Sequence, residues 1–523
     1  MPNRLVLTKV VATLGPATDS ADAVADLIRE GVRVFRLNFS HGTLDEAEQR
    51  LTRVREAADR VGVAVGVLGD LSGPKIRVEQ VPDVDEGGGL LLEPGQRVMF
   101  ERHSDDTYRG DDGVVHIGTT YPSMVDEVEP GHRVLINDGA IRLMAIDPES
   151  EGEDDDGRPG SGAPSVDLDP EDDGLLCRVT HGGRLTSRKG VNLPDSEVSA
   201  PSLTPWDRTC AAWAVEHGVD YLALSFVRRA ADVAELNRLL VERGRDNKKA
   251  SSATRLPVIA KIEKPQAIAE LTAVLEEADG VMVARGDLGV EMDLSEVPVL
   301  QKQIVQEAHR RGKPVIVATQ MLESMIGSPT PTRAEVSDVA NAILDGADAT
   351  MLSGETAVGR YPAVCVATMS RASKQAEAYL ARTGLRPSQR PAPMGEGSER
   401  MAALARGVAA VVDELDPKHV AIWSEQGGGA RYLSYMRLRR PILAFSSDPA
   451  AVRRMAIFYG VYPVHMDKPV TQQRFLSNLD GWMAREGLAE AGDAIVCLGG
   501  EPWGEVGVTN QILVHRVGGV CMV

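Results

Sequence analysis

Eight short apolar runs recur between residues 10 and 355: Val10 to Gly15, Val34 to Ser40, Ala64 to Leu71, Tyr221 to Val227, Pro257 to Glu263, Gly280 to Gly286, Val315 to Met321 and Ala349 to Glu355. Amphipathic stretches such as Leu44 to Arg60, Ala230 to Arg245, Val299 to Arg311 and Thr332 to Asp345 lie between them. Such a switch between short buried runs and helical periodicity is the βα alternation of a parallel sheet. Eight repeats satisfy every strand edge when the sheet closes, so the spacing predicts an α/β fold built on a (β/α)8 TIM barrel.

The alternation breaks once, after the third run. Residues roughly 78 to 187 read as short alternating strands with Gly, Pro and Asp turns, which predicts an inserted β domain. Within it, Asp147 to Gly174 is dominated by Glu, Asp, Gly, Pro and Ser and has too few apolar groups to offset the entropy of ordering, so it reads as a surface loop. A second break at Thr383 to Arg400, rich in Arg, Pro, Ser and Gly, carries no hydrophobic period. Beyond it, Met401 to Glu414, Ala450 to Tyr459 and Thr471 to Glu486 read as helices and Val420 to Ser424, Pro441 to Phe445 and Ala494 to Leu498 as strands, a smaller α/β unit. The expected domains are the barrel at 1–77 and 188–382, the insertion at 78–187 and the third unit at 383–523.

At 523 residues the chain exceeds one ordinary core, in keeping with several domains. No apolar stretch reaches the ~20 residues of a membrane helix, and Met1-Pro2-Asn3-Arg4 does not open a signal peptide, so a cytoplasmic protein with no membrane partner is expected. A formal net charge of -19 opposes nucleic-acid binding while leaving room for small phosphorylated ligands. The five cysteines are scattered with no CxxC pair and read as buried reduced thiols. The GxGxxG and GxxxxGK[ST] phosphate loops are absent, as are the protein-kinase motifs.

A TIM barrel carries its site at the carboxyl ends of the strands, where nearly every run here ends in polar residues. The second closes Arg36-Leu37-Asn38-Phe39-Ser40-His41-Gly42, and two-residue alternation places Arg36, Asn38 and Ser40 on one face. The fifth puts Lys261 and Glu263 on a common face, where neither is buried without a partner. The sixth supplies Asp287 beside Gly286 and Gly289. Two carboxylates from adjacent strands suit one magnesium ion whose remaining ligands are water and substrate oxygens. For an isolated Lys-x-Glu, a structural salt bridge is the better reading. The balance shifts because the seventh and eighth runs add Thr319, Gln320, Ser353 and Glu355 to the same rim.

These stretches, taken in order, resemble the pyruvate kinase family over nearly the whole chain: Thr8 to Gly15, Arg36 to Gly42, Gly73 to Arg77, Ile136 to Gly139, Lys189 to Pro194, Leu224 to Val227, Ala260 to Glu263, Ala284 to Glu291, Ala318 to Met325 and Ser353 to Ala357. The resemblance implies a catalytic barrel with an inserted β-barrel lid domain, a carboxyl-terminal α/β regulatory domain and a homotetramer. It implies transfer of a phosphoryl group from phosphoenolpyruvate to ADP, giving pyruvate and ATP in glycolysis. By that match Arg36 and Lys261 hold the phosphate, and Glu263 and Asp287 hold magnesium, with manganese as a substitute. Gly286, Asp287 and Thr319 hold the substrate carboxylate, Thr319 and Ser353 order the proton-donating water, and Asn38, His41, Arg77 and Lys189 bind the nucleotide.

Asn38, Ser40, Asp70 and the Leu71 carbonyl match a potassium site, but Lys75 stands where many members carry the Glu that accompanies a potassium requirement. A built-in ammonium would repel a bound cation, so potassium-independent activity is expected. The effector loop reads Ser424-Glu425-Gln426-Gly427-Gly428-Gly429, whose glycines suit either a turn or the phosphate of an allosteric effector. A barrel lyase or aldolase acting on pyruvate-type enolates could use the same Arg, Lys and carboxylates, but has no need of Arg77, Lys189 or a lid. A silent metabolite sensor has no need of the intact Lys261, Glu263, Asp287 and Thr319.

Overall fold

The computed structural model describes residues 5–85, 88–110, 113–147, 174–246, 255–384, 399–500, 503 and 507–519. Apart from their ends, the acidic stretch Asp147 to Gly174 and the linker Thr383 to Arg400 lie outside these, as does the fifth cysteine, Cys521. The chain divides into two compact units: Met1–Ser72, Pro205–Gly286 and Pro298–Val523 in the first, Gly73–Thr204 and Asp287–Val297 in the second.

In the first unit all eight apolar runs become strands: β1 Lys9–Thr13, β2 Val32–Asn38, β3 Gly66–Asp70, β4 Tyr221–Leu224, β5 Val258–Ile262, β6 Gly280–Ala284, β7 Val315–Ala318 and β8 Ala349–Leu352. Each pairs in parallel with its neighbour in sequence, and β8 closes on β1 with Lys9 opposite Ala349. These strands are buried throughout except for three positions of β2, Arg33, Arg36 and Asn38. The runs were near-continuously apolar for this reason: helices cover the outer face and side-chain layers fill the inner one.

Helices follow where expected. Thr43-x-x-Glu46 and Thr332-x-x-Glu335 form reciprocal capping boxes that start Leu44–Val61 and Arg333–Asp345, satisfying amides that would otherwise lack partners. Ser40 departs from expectation. β2 ends at Asn38, whose Oδ1 accepts the Ser40 amide at 3.1 Å, so Ser40 sits in a turn instead of sharing a strand face with Arg36 and Asn38. An Asn side chain that bonds the backbone two residues on competes with ladder pairing and stops the strand.

The first unit also contains a five-stranded sheet in the order Val461–His465, Ile442–Ser446, His419–Trp423, Ala494–Gly499 and Gln511–Arg516, parallel except for its last strand. It joins the amino-terminal end of the barrel through buried polar contacts. Asp220, which precedes β4, accepts from Arg453 Nε at 2.8 Å and from the Val67 amide at 2.8 Å. Arg437 lies 3.1 Å from the Asp348 carboxylate, donates to His309 Nε2 at 2.6 Å and stacks on Tyr459. The expected helix Ala450 to Tyr459 is shorter, Pro449–Met455, and the buried Ile457 to Tyr459 continue as a turn.

The second unit is a seven-stranded sheet with an added two-stranded ribbon, Leu90–Leu92 with Gly183–Leu185, around a core that includes Val98, Phe100, Val134, Ile136, Leu143 and Val179. Its sheet begins with Val191–Asn192 beside Arg133–Ile136. Cys177, Cys210, Cys365 and Cys497 are buried and unpaired, and burial pushes the Cys210 and Cys365 thiols up to about 12. Among the described residues no helix is long and apolar enough to cross a membrane.

Candidate active site

The carboxyl ends of β2, β3, β4 and β5 converge on one buried charge network. Arg36, on β2, places Nε 2.6 Å from Asp70 Oδ2 at the end of β3. Lys261, on β5, places Nζ 3.5 Å from Asp70 Oδ1 and 2.7 Å from Glu263 Oε1. Ser225, just after β4, accepts from Lys261 Nζ at 2.7 Å and donates to the Leu71 carbonyl at 2.7 Å. The Phe226 amide donates to Glu263 Oε2 at 2.8 Å, from a backbone held at φ 56°.

Asp70 and Glu263 are 1% and 2% exposed, and Lys261 is 9% exposed. Two cations and two carboxylates so placed offset one another's desolvation, which an isolated buried charge could not do. The two-residue repeat of the strands creates this arrangement by pointing Lys261 inward and leaving Glu263 just past the strand end.

A second cluster forms at β6, β7 and β8. Gly286 donates its amide to Thr319 Oγ1 at 2.7 Å, and a methyl group on Gly286 would stand 3.3 Å from that oxygen. Thr319 has φ 66° and Gln320 φ 54°. A β-branched residue in the left-handed region costs of order 1–3 kcal/mol, and the surroundings hold it there: Arg285 donates to the Thr319 carbonyl at 2.8 Å and to Asp338 at 2.7 Å. Glu355, 2% exposed, accepts from the Leu322 amide at 3.0 Å and the Ser353 amide at 2.7 Å, bracing both strand ends. Ser353 Oγ is buried and has no hydrogen-bond partner among the described residues.

The clusters meet through Thr13, which accepts from Arg36 Nη1 at 3.3 Å and donates Oγ1 to the Leu352 carbonyl at 2.9 Å. Gly15, two residues on, has no room for a side chain, since a methyl group would lie 2.5 Å from the Ala357 carbonyl oxygen.

Of the residues singled out from sequence, Arg36, Asp70, Lys261 and Glu263 are thus linked in a chain of ion pairs, and Gly286 meets Thr319. Asn38 bonds Ser40, and the Leu71 carbonyl is taken by Ser225. Arg77, Lys189 and Asp287 belong to the second unit. There Arg77 Nη1 donates to the Arg188 carbonyl at 2.8 Å, the Lys189 carbonyl accepts from Val78, and Asp287 is in the first turn of helix Arg285–Glu291. Sequence reasoning missed Ser225, Thr13 and Arg285 as members of the site. Ser225 and Thr13 sit at strand ends, the same signal that selected the others.

The model of the family described as pyruvate kinase, barrel domain, matches residues 5–154 and 155–366, and that described as pyruvate kinase, alpha/beta domain, matches residues 402–515. The chain belongs to the pyruvate kinase family. A pyruvate kinase of Corynebacterium efficiens is 38% identical over 511 residues, covering 98% of each chain, and one of Mycobacterium tuberculosis is 39% identical over 510 residues, again 98% of each. The crystal structure of a pyruvate kinase from Cryptosporidium parvum superposes with a TM-score of 0.83 at 30% identity, covering 99% of this chain and 98% of that one. Pyruvate kinases are phosphotransferases, and the closed parallel barrel with its carboxyl-terminal α/β sheet agrees with that family's architecture.

Proposed function

We propose that the chain transfers the phosphoryl group of phosphoenolpyruvate to ADP, releasing pyruvate and ATP, in the manner of its curated relatives. The buried Arg36–Asp70–Lys261–Glu263 network carries the reading. It fixes two cations beside one another in a water-poor site, and a phosphoryl group in transfer spreads negative charge over its oxygens. Asp70 holds Arg36 through Nε and Thr13 takes one hydrogen of Nη1, so the remaining guanidinium hydrogens would face an anion, while the Lys261 ammonium would neutralise the charge that develops on the enolate oxygen.

The donor set fits a divalent magnesium ion, with manganese as a substitute. Glu263 is a buried carboxylate held in place by the Phe226 amide and Lys261, and Asp287 supplies a second hard oxygen donor; both would be its protein ligands. When bound, the ion supplies Lewis-acid stabilisation of charge on substrate oxygens.

Gly286, Asp287 and Thr319 would bind the substrate carboxylate, the first two through their amides and Thr319 through its hydroxyl, in exchange for the bonds from Gly286 N to Thr319 Oγ1 at 2.7 Å and from Thr319 Oγ1 to the Ala318 carbonyl at 2.6 Å. Ser353 is assigned to the water that protonates the enolate. Its buried hydroxyl lacks a protein partner among the described residues, and a buried polar atom of that kind is commonly satisfied by ordered water. Asn38, His41, Arg77 and Lys189 bind the nucleotide. Potassium is not required, because Lys75 supplies a cation. The carboxyl-terminal domain responds to a phosphorylated effector: in its loop Gly427 turns at φ 86°, and Ser447 Oγ donates to Glu425 Oε1, while Oε2 is buried without a hydrogen-bond partner among the described residues. A cytoplasmic homotetramer is the expected assembly.

The direct test measures pyruvate and ATP together from phosphoenolpyruvate, ADP and magnesium. Equal amounts establish the reaction, and binding of phosphoenolpyruvate without either product would return the site to the lyase or sensor readings.

A further inference from the structure

We infer that Asn192 and Glu291 are positioning residues that tie the Asp287 carboxylate to the segment carrying Lys189. Glu291 ends helix Arg285–Glu291 and is 2% exposed. Its Oε1 accepts from Asn192 Nδ2 at 2.7 Å. Asp287 lies four residues earlier in that helix, one turn away on the same face. Asn192 lies three residues after Lys189, in a strand that pairs Val191 with Ile136 and Asn192 with Leu135.

Two further groups lie near the same helical turn. Arg133, opposite Met144 on the neighbouring strand and held by Asp195 at 2.8 and 2.7 Å, sits in the field of the Glu291 charge. Gly139 approaches Val290 closely enough that a methyl group would lie 3.9 Å from its side chain. Asp287–Val297 accordingly falls in the same compact unit as Gly73–Thr204, which holds Arg77 and Lys189, although the helix begins at Arg285 in the other unit.

The consequence concerns the order of assembly. An amide-to-carboxylate bond at the foot of the helix moves Asp287 with any displacement of the Lys189 segment. Nucleotide bound by Arg77 and Lys189 therefore steadies the carboxylate proposed for the metal, and by linkage the metal carboxylate favours the nucleotide-bound arrangement. Glu291 works through Asp287 and Asn192 through Glu291, and neither touches substrate. This inference rests on the nucleotide and metal reading proposed above.

The test follows amide hydrogen exchange on the full chain with ADP in the presence of a chelator, so that no metal contributes. In wild type, ADP is expected to protect both the Arg77 and Lys189 segments and residues 287–297. Asn192→Ala and Glu291→Leu should keep the first protection and lose the second, and Glu291→Gln, which retains the acceptor, should behave as wild type. In parallel, magnesium at half-maximal rate with ADP saturating and the KM for ADP with magnesium saturating should both rise several-fold in the two disrupting variants, and the double variant should be no worse than either single one. Protection at Lys189 with residues 287–297 unaffected in wild type overturns the link alone. No protection anywhere overturns the nucleotide reading and the link with it. If Asn192→Ala fails to fold, the contrast between Glu291→Gln and Glu291→Leu decides the matter.

Discussion

Lys261 Nζ lies 2.7 Å from Glu263 Oε1, two residues on and just past the end of β5, with both side chains almost wholly removed from solvent. A structural salt bridge and the proposed catalytic pair would both use this contact. The two are compatible, because Asp70 gives Lys261 a second carboxylate at 3.5 Å and Phe226 gives Glu263 a separate anchor.

Lys261→Met separates the roles. Removing one partner of a buried pair costs about 3–5 kcal/mol of stability, so a lower midpoint of thermal unfolding is expected. Loss of one preorganised charge aimed at the transition state costs about 10²–10³-fold in kcat, while phosphoenolpyruvate binding stays measurable through Arg36. Turnover within tenfold of wild type would remove Lys261 from the mechanism.

Thr319→Val keeps the shape of the side chain and deletes the oxygen that receives the Gly286 amide. We expect kcat/KM for phosphoenolpyruvate to fall by about 10²-fold, with Thr319→Ser restoring most of it. Gly286→Ala should act in the same direction by crowding Thr319, as its methyl group would stand 3.3 Å from Oγ1. Steady-state rates at varied phosphoenolpyruvate check all three, and a fully active Thr319→Val variant would show that the hydroxyl does nothing.

The joint between barrel and carboxyl-terminal sheet should weaken in mild acid. Arg437 has only donors, so His309 Nε2 must accept its hydrogen bond and the ring must be neutral. Burial, reinforced by the Arg437 charge, holds His309 below its ordinary value, against the pull of Asp348. The unfolded chain then binds the extra proton first as pH falls, so stability drops below about pH 6.5, the ordinary histidine value. Thermal unfolding between pH 7.5 and 5.5 should show a shallower decline for His309→Gln, whose amide oxygen can still accept from Arg437. The buried His419, also lowered mainly by desolvation, contributes the same sign in both proteins. Identical slopes would show that His309 does not titrate in this range.

Lys75 sits in the Gly73-Pro74-Lys75 turn, where its amide donates to the Gly73 carbonyl at 3.0 Å. Rates in potassium-free and sodium-free buffer should match those with potassium added, and Lys75→Glu should make turnover depend on potassium. Negligible wild-type activity until potassium is restored would dispose of the built-in cation.

The barrel was legible because burial on both faces writes itself into sequence as continuous apolar runs, and each expected strand forms within a few residues of its anticipated ends. Residue types at those ends were legible for the same geometric reason. Their pairings were not. Nothing in the pattern says that Asp70, matched to a potassium site, serves both Arg36 and Lys261, or that Ser225 bridges β4 to Lys261 and Leu71. The left-handed pair Thr319–Gln320 was equally hidden, since local preference forbids it and only contacts from Arg285 and Gly286 maintain it.

The pairing of Lys9 with Ala349 that closes the barrel has a bearing on birth as well as on shape. The first strand leaves the ribosome long before its lateral partner exists, and at about 5–20 residues per second the delay is on the order of tens of seconds. Throughout that interval Lys9–Thr13 has an unpaired flank in a nascent, apolar sheet. Pulse-labelled stalled chains ending before residue 349 should therefore engage chaperones and resist compaction, and chains extended past Leu352 should escape both.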